Sequence, residues 1–250
     1  MRTMKTLAYT PWKWLVAIPG IALSTLFFGT ACLLLLLVLP PRRVNRFIPV
    51  WWARVNLALI PVAVNVHGRE HLEPGQSYLI AANHLSHIDI LALYATPGLD
   101  LRFVMKQELR KVPVIGVVCA GLGYIYVNRS NRHEAVRSLN AAKPRLTSDG
   151  ASVIFFPEGT RSVDGRLHDF KKGAFVTARD MNLPILPVTL RGSDGVLPAK
   201  TLGLLPGRVD VIIHRPISAA QVQNSSAEEL MTQTRAVIAG VLPPDRIASD

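Results

Sequence analysis

The first sixty-odd residues carry two long apolar segments, and the chain beyond them breaks into short apolar runs separated by polar turns. From Trp14 to Leu39 there is no charged residue, a run of 26. Ile21 to Leu39, after Pro19-Gly20, is 19 residues long. As helix that is roughly 28 Å, close to the roughly 30 Å hydrocarbon core of a bilayer. The run is too long for a secretory leader and no small-x-small cleavage site closes it. A second apolar segment, Phe47 to Val64, carries Trp51, Trp52 and the single charge Arg54. Tryptophans there suit a membrane interface, with a plain core helix as the alternative. Arg2, Lys5 and Lys13 precede the first segment; Arg42, Arg43, Arg46 and Arg54 follow it. Basic flanks on both sides favour a hairpin or re-entrant pair with both ends facing the cytoplasm. Residues 1–61 are therefore expected to be membrane-anchoring helices.

Beyond them, apolar runs of strand length alternate with amphipathic ones. Strands are expected at Val62–His67, Tyr78–Ala82, Leu101–Met105, Tyr124–Asn128, Ser152–Phe156, Ile185–Leu190 and Val209–His214. Helices are expected at His87–Ala95, Gln107–Ala120, Arg132–Leu146, Ala174–Asp180 and Ala227–Val241. Glu73-Pro74-Gly75 and Leu205-Pro206-Gly207 mark turns. The alternation predicts an α/β domain over residues 62–250, with a mostly parallel central sheet flanked by helices. Active sites of such folds gather at the carboxyl ends of strands.

The charge balance narrows the partners. With 28 Lys and Arg against 17 Asp and Glu, the formal net charge is +11, which suits a polyanion. Nucleic acid is excluded as a partner: helix-turn-helix, zinc-ligand and aromatic strand signatures are all missing. Membrane lipids fit the hydropathy better. Cys32 and Cys119 both lie in apolar runs, so neither a disulfide framework nor a reactive thiolate is expected. The histidines show no metal-ligand spacing, and no metal is expected.

Candidate chemistry starts with Asn83-His84-Leu85-Ser86-His87-Ile88-Asp89, just past a predicted strand. Five positions along a continuous helix separate side chains by roughly 140°. His84 and Asp89 can therefore meet only if the histidine lies in the turn and the aspartate in the first helical turn. Then the carboxylate orients one ring nitrogen and leaves the other free to take a proton. The same residues also read as a capping box, Ser86 to Asp89, and one aspartate can serve both roles. His87 is expected to be structural. No Gly-x-Ser-x-Gly elbow is present, so no activated serine nucleophile is expected.

Three further blocks follow in order: Gly123–Arg129, Phe156-Pro157-Glu158-Gly159-Thr160-Arg161-Ser162 with Phe170–Phe175, and Leu183–Val188. Lys106-Gln107-Glu108-Leu109 stands between the first two. Together, across about residues 65–217, they resemble the glycerolipid acyltransferase family, in particular 1-acyl-glycerol-3-phosphate acyltransferases of the PlsC type. The resemblance implies that His84 and Asp89 are catalytic. It implies that Lys106, Arg129, Glu158, Gly159, Thr160 and Arg161 bind the phosphorylated acceptor, and that the acyl-donor region lies around Pro184. It further implies transfer from acyl-CoA or acyl-ACP to lysophosphatidic acid at the inner membrane, with no other cofactor. Two positions depart from the family pattern: Leu85 stands where glutamine is usual, and Asn128 where aspartate is usual. The second lies beside the acceptor site, so another lysolipid remains an open acceptor. A thioester hydrolase and a non-catalytic membrane lipid-binding protein are the readings from other classes. Lys171-Lys172 reads as a solvated face or as a contact for a polyanion such as acyl carrier protein.

Overall fold

The apolar front end folds back on itself and shares its core with the sheet. The computed structural model describes residues 8–96, 98–128 and 131–248; Arg2 and Lys5 lie outside them. Helix α1 (Ala8–Leu36) is long and apolar enough to cross a membrane. It starts well before Ile21 and continues through Pro19-Gly20, because a π-helical turn at Lys13–Ala17 directly precedes the proline. That wider turn is where the helix accommodates the missing N–H of Pro19. Helix α2 (Pro41–Leu59) opens on a proline at its first position, where no N–H partner is needed. Three side-chain bonds set the two helices antiparallel. Trp12 Nε1 donates to the Leu59 carbonyl at 2.9 Å, Ser24 Oγ to Asn56 Oδ1 at 2.8 Å, and Trp52 Nε1 to Thr25 Oγ1 at 3.1 Å.

The seven expected strands are all present, with ends shifted by up to two residues: β1 (Val62–His67), β2 (Leu79–Ala82), β3 (Leu101–Lys106), β4 (Ile125–Val127), β5 (Ser152–Phe155), β6 (Ile185–Arg191) and β7 (Gly207–Ile213). They form one sheet in the order β1-β7-β6-β2-β5-β3-β4. Every pairing is parallel except β6 with β7. The helices of this part are α3 (Ile88–Ala95), α4 (Ile115–Gly121), α5 (Arg132–Asp149), α6 (Gly173–Met181), α7 (Ser193–Val196), α8 (Ala219–Asn224) and α9 (Ala227–Ala239). The continuous helix expected over Gln107–Ala120 is not formed. A 3-10 turn, Gln107–Lys111, is followed by Pro113, by Val114 at φ 63°, and only then by α4. Proline forces the preceding residue out of helical geometry, which breaks the run at that point.

Side-chain alternation along β2 assigns the two faces. Ile80 and Ala82 join Leu186, Val209 and the hairpin residues Cys32, Val44, Ala53 and Leu57 in one cluster. Leu79 and Ala81 pack on the other face with Phe175 of α6 and Leu230 of α9. Residues 8–61 thus do not form a separate core. Asn45 of α2 ties the hairpin to the sheet, donating to Asp100 Oδ1 and the Leu101 carbonyl and accepting from the Tyr124 hydroxyl. Asp100 also pairs with Arg102, whose side chain is only 1% exposed. Removing one partner of such a buried pair strands the other. Asp100→Ala is therefore expected to lower unfolding free energy by about 3–5 kcal/mol, measured by denaturant melts in detergent.

Candidate active site

The strand order brings the first and third sequence blocks together. β2 and β5 are adjacent and parallel, so the loops that leave their carboxyl ends start side by side. Both ends of the His84 peptide are held by the neighbouring loop. Its N–H donates to Glu158 Oε1 at 2.8 Å, and its carbonyl accepts from the Ser162 N–H at 2.8 Å. The preceding Asn83 acts as a peptide mimic against β6. Its side chain accepts from the Leu190 N–H and donates to the Leu190 carbonyl.

Within this frame His84 and Asp89 meet as the spacing predicts. His84 Nδ1 lies 2.8 Å from Asp89 Oδ2. The same oxygen accepts the N–H groups of Leu85 and Ser86, each at 2.8 Å. Ser86 Oγ in turn accepts from the Ile88 N–H and donates to the Leu197 carbonyl. The aspartate thus serves both as a helix-start brace and as the histidine's partner. It is wholly buried. The imidazole stacks on Phe156, with ring centroids 3.8 Å apart and planes 13° from parallel. With Nδ1–H donated to the carboxylate, the basic nitrogen of the neutral ring is Nε2. Ring orientation and tautomer are therefore both set by the surroundings, the arrangement needed for a general base.

Glu158 has a different place from the one expected. Its oxygens accept the backbone N–H groups of His84 and His168, at 2.8 and 3.1 Å. It braces the loop around His84, and burial pushes its carboxyl up to about 7 against the lowering effect of those two donors. Between pH 4.5 and 7 the folded protein keeps a proton on Glu158 that the unfolded chain has released. This group's contribution to stability therefore falls as pH rises through that window, by on the order of 3 kcal/mol. Denaturant melts at pH 5 and pH 8 are expected to show that decline, and Glu158→Gln to flatten it by a similar amount.

Around the same loop lie two cations that make no ion pair with any described residue, Arg161 and Lys171. Gly159 has φ +82°, and a Cβ there would meet Lys171 Nζ at 3.0 Å. The glycine thus permits both the left-handed turn and the lysine stem lying across it. Lys172, by contrast, pairs with Glu228 of α9, so the two adjacent lysines have separate fates. His87, expected to be structural, lies close to this loop. Its pKa is lowered by partial burial, then by the charge of Arg161 and by neighbouring His84, which puts the ring within electrostatic reach of both.

The remaining expected site residues fall in three places. Lys106 ends β3, one strand beyond β5, with its ammonium 3.1 Å from Glu108 Oε1; Thr160 is exposed between Gly159 and Arg161. Arg129, after β4, lies outside the described residues. Pro184 is not brought to this edge. Its carbonyl accepts from the N–H of Leu79 at the start of β2, so it sits at the opposite, amino edge of the sheet from His84. Among the described residues, no group of three or more potential metal ligands occurs.

Residues 63–191 match the family described as Acyltransferase. The chain is 30% identical over 252 residues to a 1-acyl-sn-glycerol-3-phosphate acyltransferase of Chlamydomonas reinhardtii, covering 98% of this chain and 72% of that protein. It is 35% identical over 200 residues to the chloroplastic 1-acyl-sn-glycerol-3-phosphate acyltransferase LPAT1 of Arabidopsis thaliana, covering 79% of this chain but only 54% of that one. The chain thus spans about half the length of that plant relative. The crystal structure of the 1-acyl-sn-glycerophosphate (LPA) acyltransferase PlsC from Thermotoga maritima superposes with a TM-score of 0.76 at 27% identity, covering 95% of each chain. With its histidine–aspartate pair set at the carboxyl edge of a mostly parallel sheet, the chain belongs to the acyltransferase family.

Proposed function

We propose that the protein transfers a fatty acyl group from acyl-CoA or acyl-ACP to the free hydroxyl of lysophosphatidic acid, forming phosphatidic acid. The observation that carries this reading is the 2.8 Å contact of His84 with Asp89 on a loop bonded to the one that bears Arg161. His84 Nε2 takes the proton of the acceptor hydroxyl as its oxygen attacks the thioester carbonyl. Asp89 stabilises the imidazolium that forms. The tetrahedral adduct then collapses, the carbon–sulfur bond breaks, and the departing thiolate takes the proton back from His84. Nothing in this sequence requires an enzyme nucleophile.

Arg161 and Lys171 supply the positive surroundings that a phosphate monoester needs, guanidinium offering a bidentate match. Membrane association rests on α1 and on apolar side chains exposed beside it. These are Leu23, Phe27 and Leu34 of α1, Phe47 and Trp51 of α2, and Ile115 and Val117 of α4. Such a face suits a lipid surface, and Val114 with the following α4 packs against α1, Val114 at Gly29 and Gly121 at Leu36. The cytoplasmic side of an inner membrane, where acyl thioesters are made, is the placement this reading takes.

The acceptor is tested by feeding purified protein a labelled acyl thioester with lysophosphatidic acid, with lyso-ornithine lipid or with no lipid. Product with lysophosphatidic acid is expected. Product only from the phosphate-free lipid, or free fatty acid released at the same rate without any acceptor, would sink the reading. Arg161→Ala is expected to raise KM for lysophosphatidic acid by roughly tenfold to a hundredfold, with the KM for the acyl donor little changed.

A further inference from the structure

The segment after α9 turns back across the molecule and meets the loop that carries the brace on His84. Residues Pro244–Arg246 form a 3-10 turn, after which the chain pairs with Leu167. The Leu167 N–H donates to the Arg246 carbonyl at 2.7 Å, and the Ala248 N–H donates to the Leu167 carbonyl at 3.1 Å. The Arg246 guanidinium donates through Nη1 to the Gly165 carbonyl at 3.2 Å and to Asp194 Oδ2 at 2.6 Å. Asp194 lies just past β6, the strand whose Leu190 holds the side chain of Asn83. Gly165 has φ +74°, and a Cβ built on it would lie 2.5 Å from Arg246 Nη1. A side chain at this position would therefore displace the guanidinium. Directly after Leu167 comes His168, whose N–H reaches Glu158 Oε2 while the other oxygen of Glu158 holds the His84 N–H.

We propose that Arg246 and the segment 244–248 are a positioning strap, which sets the His84 loop through Leu167, His168 and Glu158. Arg246 touches no reacting atom. A cleft of about 230 Å³, lined by Asn83, Leu85, Leu167, Leu190, Asp194 and Arg246, separates the strap from the His84 loop. Direct packing is therefore thin there, and coupling runs along the hydrogen bonds. Without the strap, the His168 amide loses its fixed position and Glu158 loses one of the two donors that favour its ionised form. The His84 N–H then faces a carboxyl that is held from one side only and accepts more weakly when protonated.

This inference rests on the acyl-transfer reading, and the test separates the two. Arg246→Ala, Arg246→Lys and Gly165→Ala are compared with the unaltered protein, using whichever lysolipid the latter accepts. Failure of the unaltered protein to transfer acyl groups at all bears on the earlier reading, because amide exchange reports on the strap without turnover. Arg246→Ala and Gly165→Ala are each expected to lower kcat by about tenfold with both KM values within about twofold, a loss of positioning rather than of binding. The acid limb of the kcat profile is expected to move to higher pH, and the His84 and His168 amides to exchange faster than those of β2 and β5. Arg246→Lys, which keeps a cation against Asp194, is expected to restore most of the rate. Unchanged kcat and acid limb in Arg246→Ala would overturn the proposal. So would a rate loss accompanied by equally faster exchange in β2 and β5, since that is general destabilisation.

Discussion

Replacing His84 by alanine is expected to lower kcat by roughly 10³–10⁴-fold, since the hydroxyl of the acceptor then has no positioned base. The fold is expected to survive the change. Asp89 Oδ2 keeps the N–H groups of Leu85 and Ser86, and the Glu158 and Ser162 contacts are to the backbone of residue 84. Only the stacking on Phe156 and one hydrogen bond disappear, so unfolding free energy should drop by about 1–2 kcal/mol. Transfer of a labelled acyl group, with a thermal melt on the same sample, measures both. A variant that retains more than about a tenth of the wild-type kcat would remove His84 from the proton transfer.

Asp89→Asn is expected to have the second largest effect, about 10²–10³-fold in kcat. Three donors converge on Oδ2, whereas Oδ1 is buried with no hydrogen-bond partner among the described residues. An asparagine therefore turns its carbonyl oxygen to the three donors and its NH₂ to the empty side. The His84 tautomer is kept, and what disappears is the negative charge opposite the imidazolium. Asp89→Ala removes both and should be slower still, with the Leu85 and Ser86 N–H groups left unpaired. Stability is expected to fall by about 1–3 kcal/mol in the asparagine variant. Equal kcat values for the two variants would show that charge, rather than ring orientation, is all that Asp89 supplies.

Much of this architecture can be read from residue order. The strands are legible because most are short apolar runs bounded by turn residues, and the central β2, β5 and β6 are buried on both faces along most of their length. The His84–Asp89 contact follows from a five-residue spacing at a strand-to-helix turn. Other features depend on context that a local pattern does not carry. Pro19 looks like a helix start, yet a π turn before it lets α1 continue. Pro113 sits in a helical pattern and breaks it. Lys171 and Lys172 are identical neighbours in sequence, and only Gly159 and Glu228, from distant positions, tell them apart. Glu158 stands out among apolar residues as a group in need of partners, but its partners are backbone amides of residues 84 and 168. No side-chain signal marks those amides. Pro184 belongs to a recognisable block yet lies at the amino edge of the sheet, away from His84.

By itself the order of residues determined the α/β class, the apolar front end and the pairing of one histidine with one aspartate. Those rest on interactions between residues close in the chain, or on the burial preference of whole runs. The strand order was decided only by the tertiary structure. That order set β2 beside β5, gave His84 its brace, gathered Arg161 and Lys171 beside it, and carried the chain from α9 back to Leu167. Such contacts join residues tens of positions apart. Their geometry follows from how the two faces of the sheet are covered, and hydrophobic pattern alone leaves several coverings open.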